Sequence, residues 1–186
     1  MRIGGHSGPY RLVTDADTSH ADVESDEQAN VGTTTMASAT FIESPTGTSL
    51  IDWHAGGQQT LHSSTYGAEG EGTYRSTVKS GPLANLTVEA GITHGPHLVR
   101  NDNLAFVNTV NSDAPFRRHM PRHLQRKLRE LRRSRNNGEI EVSHIPTEES
   151  RADGFTKPLP VAPFLKFRDT LGVVPLSEQL KISLQH

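Results

Sequence analysis

Short apolar runs of strand length alternate along this chain with stretches of helical period, and their order predicts the fold. Residues 10–15 form an apolar run closing on Asp15 and read as a strand buried on both faces. Residues 33–42 alternate small, β-branched and apolar side chains, then meet the turn signature Ser44-Pro45-Thr46-Gly47. Residues 48–53 resume as a strand, so the pair predicts an antiparallel hairpin. From about residue 63 to 92 the period is roughly helical, with Ser63, Ser64 or Thr65 as N-cap. A short strand follows over residues 97–102, then a helix over 104–110. Pro121 suits a first helical turn, and Leu124, Leu128 and Leu131 then stand at i, i+4 and i+7, one apolar stripe that Asn136-Asn137-Gly138 terminates. Residues 139–145 alternate as a last strand ended by Pro146, and residues 161–172 predict a short amphipathic helix.

A strand, helix, strand crossover from residues 10–15 to residues 97–102 makes those strands parallel and right-handed. As neighbours, their carboxyl ends put Asp15 and Asp102 side by side, with Glu69 on the crossover helix reaching the same edge and Asp153 arriving just after the last strand. Sites of open α/β sheets lie outside the carboxyl ends of strands. Carboxylates gathered there repel, so one protonates or a cation joins them. An all-oxygen donor set suits a hard ion such as magnesium, which points to metal-assisted phosphate chemistry.

Charge is distributed to match. The net charge of −2 conceals nine of the 19 Lys and Arg within residues 117–135, where Glu130 is the only acid. Arg118, Arg122, Arg126, Lys127, Arg129 and Arg133 are the candidate nucleic-acid contacts, attracting a polyanionic backbone to the acidic site. His119 and His123 share a helical face but lack a third ligand or an accompanying Glu motif, so zinc is not expected. The absence of cysteine excludes disulfides, thiolate zinc sites and cysteine nucleophiles. The opening residues carry no long apolar run and no stretch approaches a membrane span, so the expectation is an intracellular protein, cytoplasmic or nuclear, neither secreted nor membrane-bound.

The motifs fall in a recognisable order. Thr14-Asp15-Ala16-Asp17 is followed by Ile51-Asp52-Trp53, Gln58-Gln59, Ser63-Ser64-Thr65 and Ala68-Glu69. Asn101-Asp102-Asn103, Arg118-His119, Gly138-Glu139-Ile140-Glu141-Val142, Ile145-Pro146-Thr147-Glu148 and Ala152-Asp153-Gly154-Phe155-Thr156-Lys157-Pro158-Leu159 come after. In this order and spacing the chain resembles the ribonuclease H domain of copia-type LTR retrotransposon polyproteins, the part that follows the reverse transcriptase. The resemblance implies an α/β, ribonuclease H-like three-layer fold with a five-stranded mixed sheet and helices on both faces. It places that domain over residues 10–157, with 1–9 a remnant of the preceding polyprotein region and 158–186 a partly helical extension. It implies two-metal hydrolysis of the RNA strand of RNA–DNA hybrids, with Asp15 (rather than Asp17), Glu69 (or Glu71), Asp102 and Asp153 binding two magnesium ions, or manganese. The implied partners are the hybrid and the reverse transcriptase domain of the parent polyprotein.

The chain departs from that pattern at Thr18, at Asp26-Glu27 and at Gly70-Glu71-Gly72. The first replaces an aromatic residue and the second a basic pair, weakening phosphate contact. The glycines are expected to loosen the helix that holds Glu69. Together the departures suggest a truncated, partly decayed copy, and a catalytically inert remnant that only binds nucleic acid through residues 117–135 is the alternative reading.

Overall fold

In the computed structural model the described residues are 2–3, 6–19, 34–58 and 65–173. They build a five-stranded sheet with helices on both faces. The strands are β1 (Arg11–Ser19), β2 (Thr35–Ser44), β3 (Gly47–Gly57), β4 (His97–Asn101) and β5 (Ile140–His144), and their spatial order is β3-β2-β1-β4-β5. β1, β2 and β3 pair antiparallel, whereas β1, β4 and β5 pair parallel. The helices are α1 (Thr65–Glu89), α2 (Leu104–Asn111), α3 (Arg122–Asn136), the one-turn α4 (Asp153–Thr156) and α5 (Val161–Thr170). A separate two-residue strand pair joins Arg2–Ile3 to His6–Ser7. No helix among the described residues is long and apolar enough to cross a membrane. Asp26-Glu27, Gln59, the N-cap candidates Ser63 and Ser64, and residues 174–186 lie outside the described residues.

The expected elements form, and two of them differ from expectation in ways that matter. First, β1 does not close at Asp15. It continues to Ser19 because β2 pairs with it along its whole length, Asp15 opposite Ala39 and Asp17 opposite Ala37. Second, α1 is a continuous helix of 25 residues despite its glycines. Its buried surface is built largely of small residues, among them Gly67, Ala68, Gly70, Gly72, Thr73, Ser76 and Ser80. Buried hydroxyls bond back into the helix, Thr77 to the Thr73 carbonyl and Ser80 to the Ser76 carbonyl, each at 2.8 Å. This satisfies polar groups that a small-residue interface would otherwise leave bare.

The glycines therefore allow close approach rather than loosening the helix. A Cβ on Gly70 would lie 2.7 Å from Leu124 Cδ1, and one on Gly72 would lie 2.2 Å from Thr18 Oγ1. Thr18, where an aromatic was expected, is the residue that lets α1 settle on β1 at that point. The largest core cluster joins α2, α3 and β5 through Phe106, Val107, Val110, Leu124, Leu128, Leu131, Ile140 and Val142. Tyr66 and Tyr74 of α1 pack against its edge.

The opposite face of the sheet carries the C-terminal segment. Phe155 of α4 stacks on Trp53 of β3 with centroids 5.4 Å apart, and Phe167 of α5 meets Phe155 edge-on at 4.9 Å. Gly154 is required there, since a Cβ would sit 2.5 Å from the Phe167 ring. These aromatic contacts hold the turn that presents Asp153.

Candidate metal centre

Register decides which acids meet. In the parallel ladder Asp15 lies opposite Arg100 and Ala16 opposite Asn101. One position further on, Asp17 stands beside Asp102, so the expected pairing of Asp15 with Asp102 is off by two residues. Strand pleating sends positions 15 and 17 to the same face, but only Asp17 is past the point where β4 ends.

Asp17, Glu69 and Asp102 each present a carboxylate oxygen within 4.8 Å of the others. Asp17 and Glu69 are buried and Asp102 is half-buried, so the group opens to solvent on one side. Asn101 donates to Glu69 Oε2 at 2.9 Å and to the Ala16 carbonyl at 3.0 Å, tying the glutamate to β1 at the end of β4. Thr147 donates to Asp102 Oδ2 at 2.8 Å, and His144 Nε2 donates to the Asp102 carbonyl at 3.0 Å. Thr156 of α4 donates to Asp17 Oδ2 at 2.5 Å. Each acid is thus oriented by a neutral donor that leaves its charge uncancelled.

That charge is costly without a cation. Burial, then the nearby charges of Asp17 and Asp102, push Glu69 up to about 8, against the lowering influence of Asn101. Asp17 is raised as well, chiefly by burial, with Asp102 and Asp153 adding repulsion and Thr156 opposing. Three carboxylates gathered so closely, two of them reluctant to ionise alone, fit a hard divalent ion by chemistry and spacing.

Asp15 has a different environment. It is fully buried, and its oxygens accept from Arg100 Nε at 2.6 Å, Arg100 Nη2 at 3.1 Å and Arg151 Nε at 2.7 Å. Glu43 takes the second nitrogens of both arginines, at 3.3 Å and 2.6 Å. The Arg151 guanidinium also lies 3.4 Å from the Phe41 ring centroid. With both oxygens engaged by guanidinium groups, Asp15 anchors the segment leading into α4 and stands apart from the group of three. Asp153, two residues beyond Arg151, is half-buried and within electrostatic reach of Asp17, but outside that group. Glu71, the alternative to Glu69, is turned away and paired with Lys127 and Arg75.

The basic helix divides by face. Lys127 is committed to Glu71, Arg132 bonds the Thr109 and Ala114 carbonyls, and Arg135 bonds the Val110 carbonyl and Asp113. Arg122, Arg126, Arg129 and Arg133 instead follow at i, i+4, i+7 and i+11, all exposed, opposite the leucine stripe. Arg118 is exposed just upstream. Leu124, on the opposite, buried face of the same helix, packs at Gly70 of α1. His119 and His123 are exposed on or near the same helix.

Sequence reasoning weighed Asp17 but preferred Asp15, and it gave no site role to Arg100, Arg151, Asn101 or Thr156. A signal for Asp17 existed: a buried strand running past Asp15 through Ala16 and Thr18 shifts the rim by two. The long-range ion network of Asp15 has no sequence signal of its own.

No family model matches the chain. Among solved structures, the chain is similar to LC11-RNase H1 crystallised with an RNA/DNA hybrid, with a TM-score of 0.52 and 13% identity over 78% of this chain and 93% of that one. It is likewise similar to the N-terminal RNase H domain of rv2228c from Mycobacterium tuberculosis, with a TM-score of 0.51 and 12% identity over 87% and 94% of the two chains. At such identities the likeness is one of fold: the chain has the three-layer α/β ribonuclease H-like fold.

Proposed function

We propose that this chain is a ribonuclease H-type endonuclease that hydrolyses the RNA strand of RNA–DNA hybrids with magnesium ions held by Asp17, Glu69, Asp102 and Asp153. The observation that carries the reading is the convergence of Asp17, Glu69 and Asp102 within 4.8 Å at the carboxyl rim of the sheet. Fold and motif order support it independently, and LC11-RNase H1 was crystallised on such a hybrid. The ordered motifs further support descent from a copia-type polyprotein in which residues 10–157 form the nuclease unit behind a reverse transcriptase.

In this reading Asp17, Glu69 and Asp102 would hold the ion, with Asn101, Thr147 and Thr156 fixing the orientation of their carboxylates. Magnesium bound there supplies Lewis-acid stabilisation of phosphate charge and a more acidic water. Asp153, at the start of α4 and within electrostatic reach of Asp17, would add a fourth carboxylate for a second ion. The ridge from Arg122 to Arg133 spans about 16 Å at ~1.5 Å per residue, enough to follow successive phosphates leading to the site. Discrimination of hybrid from duplex DNA rests on backbone shape and 2′-hydroxyl contacts.

One observation favours a second reading, a nucleic-acid binder without catalysis: the exposed arginine ridge needs no metal to hold a polyanion. A labelled RNA–DNA hybrid incubated with the purified chain separates the two. Magnesium-dependent cleavage lost in Asp17→Asn and in Asp102→Asn supports the nuclease. Salt-sensitive binding with no cleavage at any magnesium or manganese concentration supports the binder, and cleavage that survives both substitutions overturns the site.

A further inference from the structure

Among the described residues, Lys157 is the cation that the fold delivers into the acidic group. It lies one helical turn after Asp153, and its ammonium is bonded to the Asp153 Oδ1 atom. Its charge also reaches Asp17, Asp102 and Glu69. Thr156, its immediate neighbour, is anchored to Asp17 Oδ2, so the stem of Lys157 starts at the rim of the site rather than on a remote surface. The aromatic stack of Trp53, Phe155 and Phe167 fixes the turn from which both residues project.

A surface ion pair at this spacing is ordinarily of little consequence. This one differs in its surroundings. Asp17 and Glu69 are buried, their orienting donors Asn101 and Thr156 are neutral, and Arg100 and Arg151 are consumed by Asp15 and Glu43. Lys157 thus carries the positive charge that faces all four carboxylates. Its side chain is 46% exposed, so it can swing into solvent without dragging the backbone. An ammonium and a divalent ion compete for the same carboxylate oxygens.

Resting on the nuclease reading above, we propose that Lys157 is a tethered counter-ion that neutralises the carboxylate group in the metal-free protein and is displaced from Asp153 when a divalent ion enters. Lys157 then sets the metal concentration at which the site fills. It lowers affinity for the ion while protecting the metal-free fold from its own repulsion. A lysine suits this task better than arginine, because an ammonium is a compact charge on a flexible stem whereas a guanidinium fork clamps a carboxylate with two bonds.

The test is manganese binding by electron paramagnetic resonance, which reads the free ion directly and requires no catalysis. Lys157→Met should bind manganese ~10-fold more tightly than the wild-type chain, the scale expected for removing one ammonium from beside a divalent ion in a half-exposed site. Its melting temperature in EDTA should fall below that of the wild type, and saturating manganese should close the gap. Lys157→Arg should bind manganese no more tightly than the wild type. Lys157→Gln serves as the uncharged variant where the methionine form does not stay folded. Equal or weaker manganese binding by the uncharged variant overturns the counter-ion role while leaving the metal site intact. Asp17→Asn is the control for the site: if it binds manganese as well as the wild type, the ion lies elsewhere and the nuclease reading falls together with this one.

Discussion

Replacing Asp15 by asparagine separates the two aspartates of the Asp-Ala-Asp motif. The wild-type carboxylate is fully buried and accepts from Arg100 and Arg151, at 2.6 and 2.7 Å for the two Nε atoms. Each such pair has a gross attraction of about 4 kcal/mol at an effective dielectric constant near 20. Asparagine keeps one acceptor oxygen but leaves two guanidinium groups facing each other, with only Glu43 to balance them. Breaking a buried pair on one side costs about 3–5 kcal/mol, because the surviving charge remains desolvated. In a chain of this size that lowers the melting temperature by roughly 10 °C. Urea unfolding in EDTA measures the loss, and magnesium titration followed by melting temperature measures whether the site survives. The expected result is large destabilisation with the magnesium response retained. Asp17→Asn is expected to do the reverse: it removes a charge that burial and neighbours disfavour, leaving metal-free stability equal or higher while abolishing the response. If Asp15→Asn proves as stable as the wild type and loses the magnesium response, the assignment of the two aspartates is backwards.

Glu69 holds its proton to about pH 8 in the folded chain, against 4.5 for an ordinary glutamate. Between those values the native state binds more protons than the unfolded one, so metal-free stability is full below about pH 4.5 and falls as pH rises through 8, by a few kcal/mol at about 1.4 kcal/mol per tenfold change in proton affinity. Unfolding free energies from pH 5 to 8 in EDTA check this, and a flat profile contradicts it. Gly72→Ala should destabilise by about 1–3 kcal/mol although alanine favours helix, because the new Cβ meets Thr18 Oγ1 at 2.2 Å. Adding Thr18→Ala should recover most of that loss in a double-mutant cycle, since the hydroxyl has no hydrogen-bond partner among the described residues. Alanine at Arg122, Arg126, Arg129 and Arg133 should weaken hybrid binding and flatten its salt dependence, the logarithmic slope falling by about 0.7–0.9 for each phosphate left without its arginine, with unchanged melting temperature. Alanine at Arg132 should instead lower the melting temperature, because its guanidinium bonds the Thr109 and Ala114 carbonyls.

The parts of this fold governed by local pattern were legible in the chain itself. The leucine stripe of α3 forms the core as its spacing predicts, and the crossover through α1 does make β1 and β4 parallel neighbours. What escaped depends on contacts distant in sequence. The end of β1 is set by β2, whose pairing runs on to Ser19, and that extension moves the rim from Asp15 to Asp17. Gly70 and Gly72 read locally as helix breakers, yet their lack of a Cβ admits Leu124 and Thr18. The basic run reads as one feature, but the turn-by-turn contacts of Lys127, Arg132 and Arg135 divide it into a packed side and an open one. Arg151 binds Asp15 across 136 residues, a partnership that neither spacing nor propensity encodes.

A crystal of the protein soaked in manganese and measured at the manganese absorption edge tests the central claim most directly. An anomalous peak is expected in contact with carboxylate oxygens of Asp17, Glu69 and Asp102, with Asp15 still bound to Arg100 and Arg151. A peak coordinated by Asp15, or none at the carboxyl rim of β1 and β4 under saturating manganese, would contradict it.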